Sequence, residues 1–320
     1  MLELATKHLP LAPGQDLIVD SWLASPAMSA TTERVALLSD LHLPGDSQIE
    51  ISGINPTGHL EGVLQQWAAA PHLRPDYVLI GGDCAMISGW QQDYRQFADL
   101  MALVDQMGLP WRSVLGNHDC RENYLARFSR HAPRQSSLPS RHVGMIETPT
   151  MIWILLDSLE QVNAVPGQLG SAQLAWLRDV LAALPPDDKP IVVLGHHNLQ
   201  FDGTEEEWFG LRDSAQLMQV LEPDPRIKAY AFGHSHRWQV GQLDSGLWLI
   251  NLPALSFAFH SDQPVGWVEG AFDRSGADLR LHPLRNNGDA AAPLEHSSEA
   301  TSPNAQHAPP APPALRLSWR

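Results

Sequence analysis

The chain has 320 residues, which is enough for one large domain or two. Lysine and arginine total 21 against 36 acidic residues, so the net charge is −15, which argues against binding a nucleic acid polymer or an anionic membrane through charge. No apolar run is long enough for a transmembrane helix, and prolines and Asp16 interrupt the apolar stretch that a secretory signal would need near the N-terminus. Only two cysteines occur, which excludes a disulfide scaffold and leads us to expect a cytoplasmic protein.

Residues 1–33 lack a clear hydrophobic period, and we expect an arm that packs on the domain as a strand. From residue 34 to residue 285, short apolar runs alternate with helix-like segments. The strand candidates are Arg34–Ser39, Tyr77–Ile80, Arg112–Leu115, Met151–Leu156, Ile191–Leu194 and Ile227–Phe232. The helix candidates are Leu60–Ala70, Trp90–Met107, Ala172–Ala183 and Ser214–Leu221. This alternation predicts an α/β domain with parallel strands, and the segment from Gln239 to Leu281 predicts further strands with tight turns.

The last stretch, from Asn286 to Arg320, is rich in Ala, Pro, Ser and His. Such a composition buries too little apolar surface to offset the entropy of ordering, so we expect a disordered tail over residues 286–320. Its end, Leu315–Arg320, contains a tryptophan and two arginines and is either a docking peptide or a loose end, of which the loose end is favoured.

Polar residues follow several of the strand candidates closely. They are Asp40, His42, Asp83, Asn117, His118, His196, His234 and His236. Ligands bind at the carboxyl ends of strands in open α/β sheets, so these side chains could converge on one place. Carboxylate, amide and imidazole donors suit Mn, Fe, Co or Zn, and so many ligands exceed the four or so that one tetrahedral ion takes. The pattern predicts two ions that share a bridging carboxylate, an arrangement suited to phosphoryl chemistry.

These motifs, in this order, resemble those of the calcineurin-like metallophosphoesterases. They read Asp40-Leu41-His42, Gly82-Asp83, Gly116-Asn117-His118-Asp119, Gly195-His196 and Gly233-His234-Ser235-His236. The resemblance spans residues 34–285, nearly all of the chain that we expect to be ordered. Within the family, the segments 155–158 and 170–177 are most similar to the bacterial cyclic-AMP phosphodiesterase group, the class III cyclic nucleotide phosphodiesterases.

The resemblance implies a four-layer α/β/β/α sandwich, with two mixed sheets flanked by helices. It implies a phosphodiesterase that acts on a small-molecule phosphate ester, with a cyclic nucleotide as candidate substrate, through attack by a hydroxide that bridges two metal ions. The first ion would take Asp40, His42 and His236, the second would take Asn117, His196 and His234, and Asp83 would bridge them. Asn117 and His118 would contact substrate, and Asp119 would orient His118 for catalysis.

Several alternatives stay open. A phosphomonoesterase acting on a small phosphorylated metabolite fits the same ligands, whereas a non-catalytic metal-binding scaffold is less favoured because every ligand position is filled. His197 could replace its neighbour His196, and Arg212 contacts either the substrate or a local carboxylate. Cys84 and Cys120 are either thiolates near the metals or small buried side chains, with the second favoured. The identity of the metals is open, and a homodimer is compatible with the sequence.

Overall fold

The computed structural model describes residues 2–10, 16–24, 31–51, 53–131, 138, 140–186, 189–204, 207–284 and 310–319. The strands are β1 (Leu2–Pro10), β2 (Asp16–Ala24), β3 (Glu33–Leu38), β4 (Tyr77–Ile80), β5 (Trp111–Ser113), β6 (Gly144–Glu147), β7 (Ile152–Leu155), β8 (Ile191–Leu194), β9 (Ile227–Phe232), β10 (Gln239–Gln242), β11 (Trp248–Asn251), β12 (Gly266–Asp273), β13 (Gly276–Pro283) and β14 (Ala314–Ser318). The helices are α1 (Pro56–Ala69), α2 (Gln91–Gln106), α3 (Arg121–Arg127), α4 (Ser171–Ala183) and α5 (Ser214–Leu221).

The strands form two mixed sheets. The larger sheet has the order β1-β2-β6-β7-β8-β9-β11-β10, and the smaller has the order β14-β13-β12-β3-β4-β5. Strands β3, β4 and β5 are parallel to one another, as are β7, β8, β9 and β11. The carboxyl ends of each parallel set therefore lie at one edge of their sheet, which is where the polar motifs follow the strands.

Alternating side chains along the strands build the layers. In β3, Val35 and Leu37 join an apolar cluster that includes Trp153 of the larger sheet, whereas Ala36 and Leu38 join the cluster formed with α1 and α2. A third cluster joins the other face of the larger sheet to α4 and α5. The predicted four-layer α/β/β/α sandwich is confirmed.

The helices begin where local chemistry favours it. The Asn55 side chain accepts a hydrogen bond from the backbone N–H of Gly58 at 2.9 Å, and Pro56 occupies the first turn of α1, so this helix begins before the predicted Leu60. Helix α3 was not predicted, since its short length gives too little hydrophobic period to recognise. Over the described parts of the chain, every helix is too short or too polar to cross a lipid bilayer.

Both ends of the chain extend the sheets. Strands β1 and β2 pair antiparallel, and β2 pairs in parallel with β6, so these two strands form an edge of the larger sheet. The expected disorder over 286–320 is wrong for its end, because β14 pairs with β13. Alternation explains this strand: Leu317 is fully buried between the sheets, while Arg316 on the other face pairs with Asp273 and Asp278. Residues 285–309 lie outside the described residues.

Candidate metal centre

The seven predicted metal ligands converge, with six of them in two groups around Asp83. The first cluster comprises Asp40, His42 and His236, and the second cluster comprises Asn117, His196 and His234. Strands β3, β4 and β5 deliver the residues up to Asn117, and β8 and β9 deliver the three later histidines. Since every one of these side chains is nearly or fully buried, their polar atoms face one another rather than water.

The first cluster brings two imidazoles together in a way that fits a cation. Nε2 of His42 lies 3.1 Å from Nε2 of His236, and Oδ1 of Asp40 lies 3.4 Å from the latter. Nδ1 of His42 donates to the Met86 carbonyl at 3.0 Å, and Nδ1 of His236 donates to the Phe257 carbonyl at 2.6 Å. A ring whose Nδ1 proton is held by a carbonyl presents the Nε2 lone pair to a metal.

Charge in the first cluster agrees with this assignment. Burial, with the nearby His236, lowers the pKa of His42 to about 4, so its ring is neutral at pH 7. Burial alone would raise the pKa of Asp40, but the charge of His236 and a hydrogen bond to it bring that pKa to about 2. The cluster therefore offers the neutral imidazole of His42 beside the ionised carboxylate of Asp40, the protonation states that metal ligation requires of these two groups.

Asp83 lies between the clusters. Its Oδ2 is 3.6 Å from Nε2 of His42 and 3.3 Å from Nε2 of His196, and its Oδ1 accepts the backbone N–H of His118 at 2.9 Å. Burial would raise the pKa of Asp83, but the charge of His196 outweighs it and holds that pKa well below its ordinary value. One ionised carboxylate thus faces ligands of both clusters.

The second cluster is held by a strand end and by a loop. Nε2 of His196 lies 3.2 Å from Oδ1 of Asn117, and its Nδ1 donates to the Gly81 carbonyl at 2.7 Å. Burial would lower the pKa of His196, but the Asp83 carboxylate raises it to about 9. Nε2 of His234 donates to the Phe209 carbonyl at 2.9 Å, which leaves its Nδ1 to face the site.

Backbone strain is concentrated at these residues. Of the six non-glycine residues with positive φ in the described chain, five belong to this site, and they are Asp40, His42, Asp83, His234 and His236, with φ between 45° and 67°. Each such conformation costs about 1–3 kcal/mol and persists where the surroundings over-determine it. The tight turns aim successive side chains of one motif at the same place.

Glycine is required at one close approach. Gly82 has a φ of +98°, and a Cβ there would lie 2.6 Å from Nδ1 of His196. Only a residue without a side chain allows the end of β4 to lie against this imidazole.

His197 is not available as a ligand. Its Nδ1 lies 2.7 Å from Oγ of Ser158, and its Nε2 faces the Val165 carbonyl at 3.1 Å, so both ring nitrogens are engaged. Between the two alternatives at this turn, the geometry favours His196. The ring of His197 packs against His234, with centroids 4.5 Å apart, and thereby supports the second cluster.

His118 borders the site without joining either cluster. Its ring lies edge-on to His42, with centroids 5.2 Å apart, and its Nδ1 donates to the Ile87 carbonyl at 2.8 Å. This bond fixes the ring and leaves Nε2 on the side away from Ile87.

The expected role of Asp119 in orienting His118 is wrong. The Asp119 carboxylate is fully buried and accepts hydrogen bonds from the backbone N–H groups of Gly116, Cys84 and Ala85 and from the hydroxyl of Tyr94. Burial and the nearby Asp83 raise the pKa of Asp119 to about 6. Its side chain ties the β4 and β5 turns together, so it positions Asp83 and His118 only through the backbone.

Local contacts bear on the open alternatives for Arg212 and Cys84. Arg212 Nε donates to Oε2 of Glu160 at 3.0 Å, which is the pairing with a local carboxylate. Cys84 is buried, and burial raises the pKa of its thiol well above the ordinary value, so it is a small packed side chain rather than a thiolate.

Gln200 has a role that the sequence did not suggest. Its Oε1 accepts from the backbone N–H groups of Phe209 and Gly210 at 2.9 and 2.7 Å, and its Nε2 donates to the Asp202 carbonyl at 2.9 Å. This buried amide clasps the loop whose Phe209 carbonyl holds His234. Gln200 belongs to no strand-end motif, so no sequence pattern marked it.

Comparisons with known proteins agree with this geometry. A family model described as calcineurin-like phosphoesterase matches residues 33–238, a range that includes both clusters. The chain is 30% identical over 228 residues to the 3',5'-cyclic adenosine monophosphate phosphodiesterase CpdA of Haemophilus influenzae, covering 70% of this chain and 77% of that protein. It is 29% identical over 213 residues to the protein of the same name from Pseudomonas aeruginosa, covering 67% and 72%. A dimetal phosphatase from Danio rerio has the same fold, with a TM-score of 0.63 and 14% identity over 90% of this chain and 99% of that one.

Proposed function

Since the chain belongs to the calcineurin-like phosphoesterase family, we propose that it is a dinuclear-metal-dependent phosphodiesterase whose substrate is a 3',5'-cyclic nucleotide. The observation that carries this proposal is the position of Asp83, an ionised carboxylate that faces histidines of both clusters. The substrate class rests on the relatives, which include cyclic-AMP phosphodiesterases.

The chain offers a complete ligand set for two ions. The first cluster would hold one ion, the second cluster the other, and Asp83 both. When bound, two such ions supply Lewis-acid charge and an activated water for attack on phosphorus. The mixture of imidazole and oxygen donors suits Fe, Mn, Zn or Co, and we propose no single pair.

His118 is proposed as the general acid. Its Nδ1–H is held by the Ile87 carbonyl, so a protonated ring would present Nε2–H to the oxygen that leaves phosphorus. Transfer of that proton neutralises the alkoxide as the phosphorus–oxygen bond breaks. Asn117 would contact the substrate phosphate beside the second cluster, whereas Arg212 is engaged with Glu160.

Hydrolysis assays test the proposal. Protein stripped by chelation and reloaded with Mn²⁺ is given cyclic AMP, bis-p-nitrophenyl phosphate and p-nitrophenyl phosphate. We expect adenosine monophosphate from the first and faster cleavage of the diester than of the monoester. Preference for the monoester would identify a phosphomonoesterase, and two equivalents of bound metal with no cleavage would identify a binding scaffold.

The proposal also covers the cellular compartment of the protein. Two free cysteines and a net charge of −15 agree with a cytoplasmic enzyme that acts on small molecules rather than on nucleic acid polymers. A homodimer stays a prediction, which the mass of the protein in solution would test.

A further inference from the structure

A pocket beside the metal centre is not used by the proposed chemistry. It has a volume of about 160 Å³ and lies between the segment 44–49, which follows the first motif, and the segment 86–93, which leads into α2. Met86 and Ile87 form part of its wall, and their carbonyls hold the rings of His42 and His118 at 3.0 and 2.8 Å. The pocket is therefore separated from the metal-centre histidines by one short stretch of backbone.

Exposed apolar side chains are concentrated at this pocket. Six large hydrophobic residues are exposed in the described chain, and three of them line it, namely Ile49, Ile87 and Trp90. Trp90 is 58% exposed although its backbone N–H is fixed by the Asp93 carboxylate at 3.2 Å, at the start of α2. An exposed apolar patch next to a reaction centre is typical of a ligand site, and an exposed indole offers a surface on which a flat ring can stack.

Polar groups at the rim suit the edge of a purine. Gln92 is exposed and lines the pocket, and its Cβ lies against Gly45, where an added Cβ would meet it at 2.8 Å, so the missing side chain brings the two segments together. A glutamine amide can both accept from an exocyclic amine and donate to a ring nitrogen of adenine. The pocket thus combines a stacking surface with one amide of matching hydrogen-bond pattern.

We propose that this pocket binds the nucleobase of the substrate, with its ring stacked on Trp90. The inference rests on the proposed function and deepens it. Ile87 connects the pocket to the proposed chemistry, because its carbonyl holds the His118 ring and the residue also lines the pocket. Trp90 lines the same pocket, so a base bound there would lie against an exposed indole.

A kinetic comparison tests the subsite in the metal-loaded enzyme. We expect Trp90→Ala to raise KM for cyclic AMP about tenfold, with kcat changed less than KM, and Trp90→Phe to restore most of the loss. For glycerophosphoethanolamine, a diester without a ring, KM should not change. Leu103→Ala is the matched control, because Leu103 is an exposed apolar residue near the other end of the same helix. An equal KM for cyclic AMP in Trp90→Ala and in the parent would overturn the proposal.

A binding experiment keeps the subsite separate from the reaction. Saturation-transfer NMR of adenosine with metal-free protein should show transfer to the base protons in the parent and in Leu103→Ala, and none in Trp90→Ala. Absence of transfer in the parent would overturn the subsite. Adenosine binding in a protein that cleaves no diester would instead leave the subsite standing and remove the proposed function. Thermal unfolding of each variant checks that it is folded.

Discussion

The two clusters use the same device but differ in what supports it. In each, a backbone carbonyl fixes the far nitrogen of a histidine and turns the other nitrogen toward the site. In the second cluster, however, His234 depends on Phe209, in a loop that the Gln200 side chain holds together with a backbone hydrogen bond from Gly167 to Gly210. The comparison teaches that the same way of orienting a histidine can rest on different supports in the two clusters. We therefore expect the second ion to be lost more easily than the first.

The largest effect should come from the residue that the clusters share. Asp83→Asn removes a charge that faces both His42 and His196. The affinity for both ions should therefore fall by more than the roughly 100-fold that loss of an outer hydrogen-bond partner costs. Metal content per chain after dialysis measures this, with the exposed Asp244→Asn as control. Retention of two equivalents would contradict the bridging position.

Loss of the proposed general acid should separate chemistry from metal binding. His118→Ala removes a ring that belongs to neither cluster, so turnover of a diester should fall at least about 10²-fold while two metals remain bound. Steady-state rates and metal analysis on the same sample provide the test. An unchanged rate would exclude His118 as the acid, and loss of one metal would make it a ligand.

Loss of the Gln200 hydrogen bonds should weaken metal binding in the second cluster and not in the first. Gln200→Leu keeps the volume but removes the acceptor for Phe209 and Gly210, so the affinity of the second ion should fall about 10- to 100-fold with the first ion retained. Chelator competition followed by metal analysis would show two separate release steps. Gln242→Leu, on the exposed strand β10, is the control, and parallel release of both ions would refute the unequal support.

The smallest effect should come from Glu269, a half-buried carboxylate. Its contribution to stability can be measured on protein without metals. A hydrogen bond from His282, together with the charge of Arg34, lowers the pKa of Glu269 to about 2. The contribution of this carboxylate to the free energy of unfolding is therefore full above pH 4.5, the ordinary pKa of a glutamate, and is lost as the pH falls toward 2. Glu269→Gln should cost about 1 kcal/mol in the free energy of unfolding at pH 7 and almost nothing near pH 2, measured by urea unfolding of metal-free protein. A difference in unfolding free energy between the variant and the parent that does not change with pH would refute an origin in the Glu269 charge.

The sequence was sufficient to predict the residues that follow the strands. A polar residue that closely follows an apolar run marks a strand end, and Asp40, Asp83 and His196 lie where that pattern predicts, shortly after β3, β4 and β8. What supports them could not be predicted. The carbonyls of Met86, Gly81 and Phe257 carry no residue signature, since any amino acid supplies a carbonyl.

Two expectations were wrong for different reasons. The resemblance to the family implied that Asp119 orients His118, but the turn points the Asp119 carboxylate inward, where three backbone N–H groups satisfy it. Strand β14 was assigned to disorder because composition was averaged over a Pro-rich stretch. The alternation of Leu315, Leu317 and Trp319 is a local signal, and averaging removed it.

Strand β14 has a consequence for shortened versions of this chain. A chain cut at residue 285, as composition alone suggests, would lose the partner of β13 and leave unpaired N–H and C=O groups along that strand. Unprotected edges of this kind recruit strands from other molecules and promote aggregation. The same cut would open a gap between the sheets where Leu317 is buried, so expression trials should retain residues 310–319.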